Sequence, residues 1–293
     1  MCKEMSDASR DPFQPPSLPL RTESTPGVIE SAGDLPLSAA ETQSKPPQAV
    51  FPPWSGWDVA AVLGFTLAAV FVLSSAALGI AHLLTSKQHV SWSDLASNSS
   101  VLIGSQIAAY PAVILFMILI VRSKSRESFA KAIRWNWPGN AVVGFFVSGA
   151  IFAVAVEFAS RWLPIPKSLP VDKYFSDVAG AYLLAAFGVT LAPLLEELFF
   201  RGMLYPLLRK VWGVKAAVLV TAAAFASIHG AQLGYAWAPL LSIFAVGLVF
   251  TLVRERTGSV AASFLMHCGY NFMLFAMLWM GSDHFRHLEK VMS

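Results

Sequence analysis

Six polar side chains stand in stretches that are otherwise apolar: Glu196, Glu197, Arg201, His229, His267 and Asn271. On a helix Glu197 and Arg201 are one turn apart, so they share a face and can form an ion pair. Glu196 is rotated from Glu197 by about 100° and points elsewhere, which leaves its carboxylate free for chemistry. His267 and Asn271 are also four residues apart and reach into one space. A carboxylate in an apolar setting can take a proton from water and later return it. An imidazole or an amide placed where negative charge develops contributes up to a few kcal/mol to a reaction barrier. Two histidines and a glutamate can also ligate zinc, so Glu196, His229 and His267 are the donors for a divalent metal if one is bound. No HExxH sequence is present.

These groups can meet only if the chain brings three segments together. Glu196 and His229 are 33 residues apart, with their midpoint between Trp212 and Gly213. A helix that runs to about Lys210, turns at Gly213 and returns would place both residues about 25 Å from the turn, at one depth. His267 and Asn271 lie 11 and 15 residues beyond Arg256, or about 16–22 Å from their own turn. Pro193 and Pro206 are the positions at which the first helix of the hairpin can kink.

The surrounding composition says what kind of elements these are. Hydrophobic residues make up 55% of the 293 and charged residues 13%, about half the charge of a soluble domain. An ordinary cytosolic enzyme is thereby excluded. The net charge of +3 is too small to point to nucleic acid, and two dissimilar cysteines make neither a disulfide framework nor a thiolate zinc site. Apolar segments fall at about 59–84, 101–121, 141–160, 181–200, 214–229, 237–253 and 259–280. A spanning helix needs about 20 residues, and irregular backbone cannot face lipid. The expected fold is all-α: a polytopic transmembrane bundle of about seven spans, eight if one is re-entrant. Continuous apolar runs exclude a β-barrel.

Connections 122–140, 201–215 and 254–258 carry 5, 4 and 2 Lys/Arg, against 1, 3, 0 and 2 in 85–100, 161–180, 230–236 and 281–293. The first set is therefore expected in the cytoplasm, with the N-terminus, in a multi-pass protein of the cell membrane. Residues 1–53 hold 10 of the 18 prolines and are expected to be a disordered tail. Trp54, Trp57, Trp92, Trp135, Trp137, Trp162 and Trp212 fall at span ends, as an interfacial belt should. Glu157 and Arg161 are spaced for a local ion pair.

The polar residues form three motifs: Glu196-Glu197-Leu198-Phe199-Phe200-Arg201, an EExxxR; Phe225-Ala226-Ser227-Ile228-His229, an FxxxH; and His267-Cys268-Gly269-Tyr270-Asn271, an HxxxN. In that order, on apolar segments, they resemble the CPBP family of intramembrane endopeptidases, also called the Abi or CAAX-protease family. The resemblance covers about residues 181–275, and the tail and first three helices lie outside it. The expected organisation is thus a disordered Pro-rich tail (1–53), N-terminal transmembrane helices (54–160) and, where the resemblance lies, a catalytic helical core (181–280). The resemblance implies hydrolysis of a peptide bond within the membrane, in a protein or peptide that is prenylated in some members, by a hydrolase often classed as a metalloprotease. Glu196 and His229 would then activate water, His267 and Asn271 would hold the oxyanion, and Glu197 and Arg201 would support the site.

Other functions leave different marks. A transporter would also place Glu and His at midplane, but it predicts an internal repeat, and all these polar groups fall in the second half. No Gly-x-Ser-Gly accompanies a downstream His, which disfavours a rhomboid-like serine protease, and the missing HExxH disfavours a site-2-type metalloprotease. A non-proteolytic membrane scaffold or bacteriocin-immunity protein with the same fold remains the alternative.

Overall fold

The computed structural model describes residues 51–88, 90–175 and 177–287. The tail expected at 1–53 lies outside these residues apart from its last three. Of those, Phe51 packs against the bundle and Pro52 is buried.

Every regular element among the described residues is helical. Besides three short 3-10 helices (Ser86–Gln88, Gly139–Ala141 and Pro170–Phe175), they are in chain order α1 (Gly56–Thr85), α2 (Trp92–Ser97), α3 (Ser99–Lys124), α4 (Phe129–Ala132), α5 (Val142–Ser160), α6 (Val178–Val189), α7 (Leu191–Glu197), a π-helical segment (Leu198–Leu204), α8 (Tyr205–Ile228), α9 (Trp237–Thr257) and α10 (Val260–Gly281). Their ends follow local chemistry. Ser55 and Asp58 make a reciprocal capping box at α1, and Asn98, Asp177 and Ser259 cap α3, α6 and α10 through their side chains. Gly258 closes α9 in the left-handed conformation, φ 64°, which glycine adopts without steric cost.

Among the described residues six helical stretches are long and apolar enough to cross a membrane, where about seven spans were expected. Two expected segments, 181–200 and 214–229, lie in one stretch, Val178–Ile228. That stretch is interrupted at Gly213, whose φ of 75° and ψ of 176° are not helical. Residues 214–228 are therefore a separate, short helical arm after the turn, and the hairpin bends where the sequence midpoint placed it. Lipid-facing surface is evident on α5, where Val143, Val147, Ile151, Val154 and Phe158 recur at helical spacing and are all exposed. The protein is a multi-pass membrane helix bundle.

Two packed clusters hold the functional elements. Val62 of α1 and Val113, Met117 and Val121 of α3 pack with Leu195 and Leu198 of the α7–π stretch. Ala153 of α5, Val246 and Phe250 of α9, and Met266 and Tyr270 of α10 form the second cluster. Helices α5 and α10 touch backbone to backbone. A Cβ at Gly149 would run into the Met266 carbonyl, and one at Gly269 into that of Phe146. Such small-residue crossings permit the close van der Waals contact that drives helix association in lipid.

The two ends of the bundle differ in charge. At one end Lys124 pairs with Asp58, Arg209 with Glu255, and the Val260 amide donates to the Arg134 carbonyl. At the other, Ser99 Oγ donates to the Tyr174 carbonyl at 2.5 Å and the Val171 amide donates to that of Gln232. Trp54 departs from the expected belt: it is 2% exposed and its indole N–H donates to the Met203 carbonyl at 3.0 Å. Among the described residues Glu157 makes no ion pair with Arg161. Helix α5 ends at Ser160, and the Arg161 guanidinium lies over the Phe158 ring at 5.7 Å.

Candidate active site

The EExxxR motif sits where α7 passes into the π-helical segment. The Tyr205 amide bonds to the Phe200 carbonyl, five residues back. The same register would pair Pro206 with Arg201, but proline has no N–H. The orphaned Arg201 carbonyl is taken by Arg254 Nε of α9 at 3.2 Å. Pro206 therefore ties this wide turn to α9 without breaking the stretch. The break on the other side is at Thr190, φ −120° and ψ −72°, three residues before Pro193.

Glu197 and Arg201 are both fully buried and pair at 2.9 Å. Arg201 also donates to the Gly247 carbonyl at 3.1 Å, and its guanidinium lies 4.5 Å over the Phe225 ring. The same Glu197 oxygen accepts from His267 Nδ1 at 3.0 Å. Two partners on one carboxylate oxygen and an aromatic face against the guanidinium offset part of the cost of burying both charges, while Glu197 Oε2 and Arg201 Nε stay without a hydrogen-bond partner among the described residues.

Glu196 points the other way. Its Oε2 lies 3.7 Å from His267 Nε2, so the two glutamates flank one imidazole from its two nitrogens. His229, at the end of α8, approaches the Phe225 carbonyl through Nδ1 at 2.9 Å. A carbonyl only accepts, so Nδ1 is the donor, and in the neutral ring Nε2 then keeps its lone pair. Asn271 donates to the Gly188 carbonyl at 2.7 Å, joining α10 to α6 and leaving its second N–H available.

Glu196, His229, His267 and Asn271 all line one cavity of about 470 Å³, whereas Glu197 and Arg201 lie behind its wall. The cavity runs from Glu196 toward the less basic end of the bundle, where Val171, Tyr174, Gln232 and Leu233 border it. Among the described residues none of the basic connections does. The three donors considered for a divalent metal do not come together as a metal-binding group among the described residues.

Several contributions could not be read from the motifs. The Phe225 ring covers Arg201 while its carbonyl orients His229; the i−4 relation to His229 is the only hint. Phe250 packs 4.7 Å from the His267 ring. Gln106 and Tyr110 of α3 line the cavity from outside the motif-bearing region.

A multi-pass membrane protein with this cavity is a class, and comparison narrows it. Residues 178–273 match the family described as type II CAAX prenyl endopeptidase Rce1-like. An uncharacterized 24.3 kDa protein of Escherichia coli is 32% identical over 127 residues, which are 43% of this chain and 54% of that protein. The chain thus spans about half the length of the curated relative it matches. No solved structure matches significantly.

Proposed function

We propose that this protein is an intramembrane endopeptidase that cleaves a membrane-associated protein or peptide with water activated by Glu196. One observation carries the reading: four polar groups from three separate motifs face a single cavity, while the buried Glu197–Arg201 pair braces it from behind. The Rce1-like match supports a protease of the CAAX type in general terms. A prenylated chain, as that description names, is one member of the class of membrane-associated peptides that suits these walls.

Glu196 takes a proton from water, and the resulting hydroxide attacks the scissile carbonyl. His229 Nε2, unprotonated, accepts a hydrogen bond from the same water and aligns it. The oxyanion is held by the second N–H of Asn271 and by His267, which in its doubly protonated form donates from Nε2. Protonated Glu196 then passes its proton to the leaving amine, and the C–N bond breaks. Glu197 fixes the His267 ring through Nδ1 and Arg201 holds Glu197; neither touches substrate.

The cavity's volume exceeds that of a water molecule, about 30 Å³, many times over, so water and a short peptide segment fit together. With the basic end in the cytoplasm, the substrate reaches the site from the opposite face. The test compares newly formed peptide termini in membranes of cells carrying wild type or Glu196→Gln. Termini that depend on Glu196 support the reading. Identical profiles, with both proteins present at equal levels, leave the scaffold reading in its place.

A further inference from the structure

Helix α3 lies outside the matched region, yet two of its polar side chains enter the cavity. Gln106 and Tyr110 are one turn apart and share a face. Tyr110 is set by its ring packing on Phe187, with centroids 5.2 Å apart. The neighbouring polar residue, Ser105, is satisfied by the Leu102 carbonyl and by Ser74. The side chains of Gln106 and Tyr110 make no hydrogen bond to any group among the described residues. A carboxamide and a phenol left without a partner on a cavity wall within a membrane are costly unless something binds them. If packing alone set these positions, Leu and Phe would serve better.

We infer that Gln106 and Tyr110 form a subsite that hydrogen-bonds the main chain of an extended peptide lying along α3. A carboxamide offers both donors and acceptors, as a peptide unit does, and a phenol donates to a carbonyl. Four helical residues rise about 6 Å. Alternate residues of an extended chain, which present main-chain groups to the same side, are about 6.6 Å apart. The two spacings match, so Tyr110 takes the main chain next to the scissile bond and Gln106 takes it two residues further on. The polar contacts are to the main chain and the walls are apolar, so selection falls on an unwound apolar segment and not on one polar side chain.

This subsite rests on the endopeptidase reading, and the experiment keeps the two separable. The probe is a fluorescent, quenched mixture of apolar decapeptides, offered to the full-length protein in lipid nanodiscs. Cleavage is read with wild type, and binding by polarisation with Glu196→Gln. Gln106→Leu and Tyr110→Phe, each introduced into both backgrounds, should lower kcat/KM and weaken binding about tenfold, as the loss of one hydrogen bond predicts. N-methylation of the peptide main chain two residues from the cleaved bond should cost wild type a similar factor and cost Gln106→Leu nothing more. A structural role for Gln106 would not produce that non-additivity. Unchanged binding and cleavage in both variants, or an N-methyl penalty equal in wild type and Gln106→Leu, overturns the subsite. Binding that depends on Gln106 without any cleavage upholds it while removing the endopeptidase reading. Neither binding nor cleavage removes both.

Discussion

Glu196 and Glu197 are adjacent in sequence and opposite in circumstance. Glu197 is fully buried and engaged by Arg201 and His267, whereas Glu196 faces the cavity with His267 Nε2 3.7 Å from its carboxylate. Their substitutions should therefore fail in different ways. Glu196→Gln keeps the shape and removes the proton acceptor, so hydrolysis should fall by about 10²–10⁴-fold with the melting temperature in detergent unchanged. Arg201→Ala strands a buried carboxylate and should cost about 3–5 kcal/mol of stability, read as a lower melting temperature or loss of the protein from membranes. Equal melting of the two variants would contradict the division of roles. Much of this was legible beforehand, because one-turn spacing and a 100° offset are properties of any helix. What Phe225 does was not legible: a ring over Arg201 and a carbonyl under His229 depend on where α8 meets the π-helical segment.

Among the elements, the turn at Gly213 and the crossing of α5 with α10 set where the polar groups stand. Gly213 has φ 75° and ψ 176°, a combination open almost only to glycine, and Gly213→Ala should cost about 1–3 kcal/mol. At Gly149 a methyl group meets the Met266 carbonyl, one residue from His267. Gly149→Ala should push α10 away from α5, destabilise the protein by about 1–3 kcal/mol and depress hydrolysis as well. Loss of stability with undiminished turnover would show that α10's position does not set the site. The sequence midpoint located the hairpin turn, since helical rise is uniform. It could not fix the ends of the short arm 214–228 that returns from that turn. The π-helical register also escaped reading, because it follows from Pro206 together with a distant donor, Arg254.

At the scale of the whole molecule, the cavity and the basic connections lie toward opposite ends. Sidedness is accordingly measurable in intact cells, in a background without Cys2 and Cys268. A membrane-impermeant maleimide added outside should label Gln232→Cys and spare Lys210→Cys; the reverse pattern would place the substrate's approach in the cytoplasm. Apolar periodicity revealed the bundle, but helix order alone could not reveal that α3 supplies a cavity wall, because packing between distant segments has no local signature.

The central claim is that Glu196 activates water to cut a peptide bond inside the membrane. The most direct measurement is isotopic. The purified protein in nanodiscs is given the apolar decapeptide mixture in water enriched in oxygen-18, and new carboxyl termini are read by mass spectrometry. Wild type should produce termini carrying one heavy oxygen, and folded Glu196→Gln should produce essentially none. Labelled termini formed equally by both proteins would contradict the account.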